Sequence, residues 1–501
     1  MDIETRKESK NMAYTCKAGE SQVVIQCDVM TDNNIKEVLS ATGSVVPIKV
    51  DVFDGEAKVQ GKVCYSVIYV DDSDTLGCRE YCSDFVETVS NGGIKTNSVV
   101  TPELTLVDID SMAKGSSVRV QAVVDIELYM VACNKYELVT DVSNTLTRMQ
   151  NIKTSTHICH IDSIDDVMDE YSTGCNIDDI LYYATGVTCN NITINNDKVT
   201  VTGEATACII YTSEGKSATK NVTIPYNTEV RALGADSSSG ALMSAYVKDS
   251  KIVLGGVEDD NTIKVEMTIA LVGDVYAYDM ASVVQDAYST QAELDVERES
   301  VGLDVIEAHR EVDERVSAET SIGDDGAIGH IVGVTHMPCS MVNVKVEDGN
   351  VTAESVVTVC VMYADQDGQY HSIALDIPSS IAVPCEDVMT GDDVHCNVVV
   401  KSATCRVKRE RDIEVLLELS IECMAVHHMS YNVVSAVTCK GERHDTHKGM
   451  SVYFASAGDT MWDVVKSLGA SEEIIRACNS DIDLDNIVGG EHIMVIRDTN
   501  V

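Results

Sequence analysis

The side chains that could do chemistry in this 501-residue chain fall into a few short constellations. Asp481, Asp483 and Asp485 alternate as the first ligands of a calcium loop do. Such a loop needs Gly at its sixth position and Glu at its twelfth, where this chain has Asn486 and His492. His157-Ile158-Cys159-His160, and Cys439 with His444 and His447, bring soft ligands together, yet neither supplies four at a standard zinc spacing. Gly215-Lys216-Ser217 looks like the end of a phosphate loop, but Ile210 stands where Gly is required and no helical pattern follows, so a hairpin turn is expected there. No Gly-x-Ser-x-Gly, His-Glu-x-x-His or Gly-x-Gly-x-x-Gly motif occurs. With 81 carboxylates in the chain, adjacent acids carry no information. The expectation is a non-enzymatic protein with no cofactor and no metal site.

Composition narrows the partners. The 81 acidic against 37 basic side chains give a net charge of −44, spread along the whole chain. That field repels phosphate backbones and anionic lipid, which argues against nucleic acid and membrane surfaces. No apolar run reaches the eighteen residues or so of a spanning helix, and Met1 to Asn11 has no secretory pattern, so neither membrane insertion nor export is expected. The 18 cysteines are then expected to be reduced, small buried hydrophobes; the nearest pair is Cys78 and Cys82, and no Cys-x-x-Cys occurs. Oxidative cross-linking into a homo-oligomer is the alternative use of so many thiols.

The elements that must position these residues repeat three times. Val59 to Tyr69, Val201 to Tyr211 and Ala353 to Tyr363 match, each ending in an apolar pair and Tyr. Further on come Val118-Arg119-Val120-Gln121-Ala122, Ile263-Lys264-Val265-Glu266-Met267 and Ile413-Glu414-Val415-Leu416-Leu417. Val118, Val120, Ala122, Val124, Ile126 and Leu128 alternate with polar residues, the period of a half-buried strand. Asp54-Gly55, Asn195-Asn196, Asp348-Gly349-Asn350 and Asp367-Gly368 supply hairpin turns. The expected fold is mainly β: tandem antiparallel, sandwich-like units, then a small α+β (βααβ) module. The spacing divides the chain into an N-terminal segment (1–24), repeats at 25–150, 151–295 and 296–440, a linker (441–451) and a terminal module (452–497). Gln291 to Ile322 reads as a charged surface ribbon joining the second repeat to the third.

On these residues, and on Asp286-Ala287-Tyr288-Ser289-Thr290, which tends to close such a unit, residues 25 to 440 resemble the SPOCS repeats of clostridial sporulation and spore-surface proteins.

The terminal module changes period. Val452 to Ala455 is strand-like and Gly458 turns it. Thr460 stands at an N-cap with Asp463 as its capping-box partner, and Met461, Val464, Val465 and Leu468 form one apolar helix face that Gly469 ends. Ser471 caps a second helix with Ile474, Ile475 and Cys478 pointing inward, and Gly489-Gly490 releases a closing strand, Ile493 to Ile496. Trp462, the only Trp, is expected to be helix-on-sheet core. The Gly-Asp-Thr-x-Trp opening, Asn479 and the Asn486-Ile487 pair resemble a LysM module. That resemblance implies a ligand or partner groove at Gly458, Asp459, Thr460 and Met461 with Asp485, Asn486, Ile487 and Val488.

Together, SPOCS-like repeats and a LysM-like module resemble the SipL-type family of spore coat morphogenetic proteins. The resemblance implies a scaffold in the mother-cell cytoplasm at the forespore surface. Its module would bind a sporulation morphogenetic ATPase, and its repeats would organise other coat proteins, as a small recognition head on a long acidic arm. The alternative is a binder of peptidoglycan glycan in cell wall or spore cortex.

Overall fold

A computed structural model describes residues 3–255, 261–322, 327–442 and 449–497. Alternating apolar and polar residues punctuated by turn chemistry give antiparallel strands over most of this length. The first unit opens on a long strand, β1 (Thr5–Met30), and runs through β2 (Ile35–Phe53), β3 (Glu56–Asp71), β4 (Leu76–Ser90) and β5 (Val100–Ala113) to a second long strand, β6 (Ser117–Val142). One sheet has the order β2-β3-β4; in the other β6 lies between β1 and β5. The second unit repeats this plan with β7 (Leu146–Ser172), β8 (Asp179–Asn195), β9 (Lys198–Ser213), β10 (Lys216–Arg231), β11 (Gly240–Leu254) and β12 (Thr262–Tyr288). In the third, β13 (Ala292–Ser321) and β19 (Asp412–Glu442) are the long strands. Between them lie β14 (Ile328–His336), β15 (Ser340–Glu347), β16 (Asn350–Asp365), β17 (Tyr370–Pro384) and β18 (Asp393–Arg409). β14 and β15 pair with successive parts of β16. They are parted around Pro338, which has no N–H to offer a ladder.

Each unit is two sheets packed face to face. In the first, Val59, Val63, Tyr65 and Val67 of β3 meet Val118, Val120, Ala122, Val124, Ile126 and Leu128 of β6, all buried. The second unit sets β9 against β12, and the third sets β16 against β19, where Ile413, Val415, Leu417, Leu419 and Ile421 are buried. Gly61 and Gly203 of the repeat motif sit where neighbours come close: a Cβ on Gly203 would stand 1.9 Å from the Thr188 carbonyl oxygen.

The apolar pair before each Tyr has its own explanation. Val67 and Tyr69, Ile209 and Tyr211, Val361 and Tyr363 face into their own unit's core. Ile68, Ile210 and Met362, between them, point the other way into a cluster shared by all three units with Leu39, Leu181, Tyr182 and Val332. The strand is buried on both faces there, so alternation gives way to a continuous apolar run. Hydrogen bonds cross every pair of units: Cys78 to the Ile180 carbonyl (3.5 Å), Cys208 to the Lys401 carbonyl (3.6 Å) and Ser40 with Thr335 (2.6 Å). The long strands close a second shared core, in which Val139, Val284 and Val434 occupy matching positions of β6, β12 and β19.

Several expectations are thereby corrected. Residues 5–24 are no separate segment: β1 pairs with β6 from Thr5 opposite Val142 to Met30 opposite Ser117. Its first turns of sequence are charged and exposed, which hid the pattern. The ribbon expected at Gln291 to Ile322 is β13, the opening strand of the third unit, paired along its length with β19. Asn195 ends β8, and the turn falls on Asn196 and Asp197. The long arm is absent, because the three units pack on one another. Cys64 and Cys82, directly opposite in β3 and β4, form a disulfide, while the other described cysteines are free. Most of the linker expected at 441–451, with His444 and His447, lies outside the described residues.

Candidate functional site

The terminal module consists of β20 (Gly449–Phe454), α1 (Met461–Leu468), α2 (Glu472–Cys478) and β21 (His492–Arg497), the two strands pairing antiparallel. The Asp463 carboxylate accepts hydrogen bonds from the Thr460 N–H (2.8 Å) and hydroxyl (2.6 Å), fixing the first turn of α1. Gly469 ends that helix in the left-handed region at φ 66°. Val464, Val465, Leu468, Ile475, Ile493 and Val495 form the core. Ile474, expected inward, is 47% exposed; α2 is short and buries only Ile475 fully. Asn479 is buried and ties α2 to β21: its amide donates to the Ile475 and Met494 carbonyls (2.7 and 2.6 Å), and its oxygen accepts from the Met494 N–H (2.8 Å).

The two loops expected to form a groove meet. The Gly490 N–H reaches the Ala455 carbonyl (2.8 Å) and the Ala455 N–H reaches the Glu491 carbonyl (2.9 Å). Gly458, at φ 93°, makes the turn into α1. The Asp459 carboxylate accepts from the Tyr453 hydroxyl (2.6 Å) and the Ser456 N–H (2.7 Å), and this pushes the Tyr453 pKa up to about 12. Asp485 pairs with Arg476 (2.5 Å), and the Asn486 amide donates to Asp483 (3.0 Å). Met461 and Ile487 are half-buried against the core, and Val488 is 63% exposed. These polar side chains are thus engaged with one another: of the acids that resembled a calcium loop, Asp483 braces the turn at Asp485 and Asn486, and Asp485 pairs with α2. Among the described residues no group of three or more His, Cys, Asp or Glu side chains could hold a metal ion. His157 and His160 instead share one carboxylate, Asp274, at 2.9 and 3.0 Å.

The module is fastened to the sandwiches by a residue that sequence reasoning noted only as part of a closing segment. Asp286, near the end of β12, accepts hydrogen bonds from the Trp462 indole N–H (2.9 Å) and the Lys466 ammonium (2.7 Å), both on α1. Its other oxygen pairs with Arg298 of β13 (2.7 Å). Burial works against the charge, but Lys466, Trp462 and Arg298 together hold the carboxyl below its ordinary range. Tyr288 of the same strand end packs into the module's core. Trp462 is therefore half-buried at an interface, with its polar edge committed.

A cavity of about 370 Å³ lies where the units meet, lined by Tyr14, Tyr129, Asp304, Asp393, His395 and His428 among others. His428 bridges Asp304 and Asp393; its hydrogen bonds to Asp393 and Asp304 raise its pKa although burial opposes them.

The strands of the third unit also carry a family signature. Residues 327–408 match the family model described as SipL, SPOCS domain. The third unit carries a SipL-type SPOCS domain. The match covers β14 to β17 and nearly all of β18, and leaves the long strands β13 and β19 outside it. Neither a curated protein nor a solved structure matches the chain. Within the SPOCS domain, Met362 and Tyr363 are the double-facing residues of β16, one turned to the shared cluster and the other to the domain's own core. Over residues 327–408 the chain is thus similar to sporulation-related, SipL-type proteins. No helix among the described residues is long and apolar enough to cross a membrane.

Proposed function

We propose that the chain is a non-enzymatic scaffold of spore coat morphogenesis. It tethers coat layers to the forespore surface from the mother-cell cytoplasm. The SPOCS domain at 327–408 carries this reading. The βααβ module, which resembles LysM, engages the sporulation morphogenetic ATPase, and the sandwich body organises other coat proteins. A net charge of −44 suits a partner with neutral or basic surface.

The test pairs the full chain with the purified ATPase and, separately, with purified peptidoglycan. Co-sedimentation with the ATPase, weakened by Asn486→Ala, is the expected result. Asn486 is a useful probe because its side-chain amide hydrogen-bonds to the neighbouring Asp483, within its own loop. Retention on peptidoglycan without ATPase binding would overturn the tether and favour a cell-wall or cortex protein.

A further inference from the structure

The module has a second face, opposite its helices. Ile493 and Val495 of β21 point inward and are fully buried. The outward positions of the same two-stranded sheet are Met450, Val452 and Phe454 on β20, paired with Ile496, Met494 and His492 on β21. None carries a carboxylate. Met450 is 62% exposed, Phe454 68% and Ile496 57%, and the Phe454 and His492 rings meet edge to face at 4.7 Å. Scattered exposed apolar residues need no explanation, but here every outward position of a sheet is apolar or His in a chain of net charge −44. The groove lies at the loops, and the contact with Asp286 uses α1, so both leave this face open.

We propose that this face is a docking surface for an amphipathic helix of a partner protein, with an apolar stripe flanked by Lys or Arg. Three features choose the occupant. The face is roughly 17 Å long at the strand rise, the length of about eleven helical residues. The module as a whole is acidic: residues 452–497 hold eight carboxylates against three basic side chains, and Lys466 and Arg476 are already ion-paired. A second copy is disfavoured, because two chains of net charge −44 repel, whereas a helix flanked by Lys or Arg is attracted. The inference holds whichever ligand the groove takes.

The test uses the full chain and two synthetic fourteen-residue peptides of the same Leu and Lys content, one patterned as an amphipathic helix and one scrambled. Fluorescence anisotropy should show the patterned peptide binding about 10-fold or more tighter than the scrambled one. The double substitution F454S/I496S should remove that difference while the melting curve and Trp462 emission stay unchanged. If the double variant fails to fold, Met450→Ser, at the first outward position, replaces it. Equal binding of both peptides would show attraction by charge alone and overturn the proposal. So would patterned-peptide binding that the substitutions leave intact. A concentration-dependent dimer, or binding to phosphatidylcholine vesicles, that is lost in the variant would also overturn it, by assigning the face to a second copy or to lipid.

Discussion

The attachment of the module through Asp286 can be measured with the protein's own reporter, since Trp462 is the only Trp in the chain. Asp286→Ala removes the acceptor of the Trp462 indole and the counter-charge of Lys466. A hydrogen bond to a charged group contributes about 1.5 kcal/mol at the low end. Lys466 is 46% exposed, so its ion pair is screened and adds only about 0.5 kcal/mol. The sum, about 2 kcal/mol, weakens docking roughly 30-fold. Trp462 emission should shift to the red and acrylamide quenching should steepen. Lys466→Ala should give a smaller change, and adding it to Asp286→Ala should change little more, because both act through one carboxylate. With its carboxyl held below the ordinary range, Asp286 supports docking at neutral pH and loses that role as pH falls through its folded pKa. Unchanged emission and quenching in Asp286→Ala would refute the account, as would additive effects of the two substitutions.

Other expectations follow from the body. Met362→Ala opens a cavity in the cluster shared by the three units and should cost about 2–5 kcal/mol in denaturant unfolding, with Ile210→Ala behaving alike. Glu422, pushed up to about 7 chiefly by burial, binds its proton more tightly folded than unfolded, so stability should fall as pH rises from the ordinary carboxyl range to about 7. Glu422→Gln should recover about 1–3 kcal/mol above that window and nothing below it, measured by thermal melts at pH 4.5 and 8. The raised His428 acts in the same direction: its contribution is present below the ordinary histidine pKa and is lost as pH rises through its folded value, a change that His428→Gln should abolish. Peptide mapping without reductant should recover Cys64 linked to Cys82; under mild oxidation Cys396 and Cys423, opposite each other with sulfurs 3.0 Å apart, should join as a second pair.

What the sequence makes legible is the strand interior. Strict alternation from Val118 to Leu128 identifies β6, and turn residues such as Gly55 and Gly349 locate hairpins, because both signals are local. The module's helices are legible for the same reason, through Thr460, Asp463 and Gly469. Contacts between distant strands are not. Cys78 and Cys82 are neighbours in sequence, but β-sheet register sets Cys82 opposite Cys64. The run Ile209-Ile210-Tyr211 marks the repeat, yet which face of Ile210 meets another unit depends on packing that no single copy encodes. The turn residues of the module, such as Gly458, are local signals, whereas Asp286, more than 170 residues away from Trp462 in sequence, became a docking residue only through the fold.

The cluster around Ile68, Ile210 and Met362 has a consequence for how such a chain can grow. Linear repeat arrays keep a free end and lengthen by adding copies there. In this protein each unit touches both of the others, so the set is closed and its ends are spent. A fourth copy would find no vacant flank and would leave its own double-facing residue in water. Duplication of this unit therefore has a natural stopping point, and the number three is written into the back face of one strand.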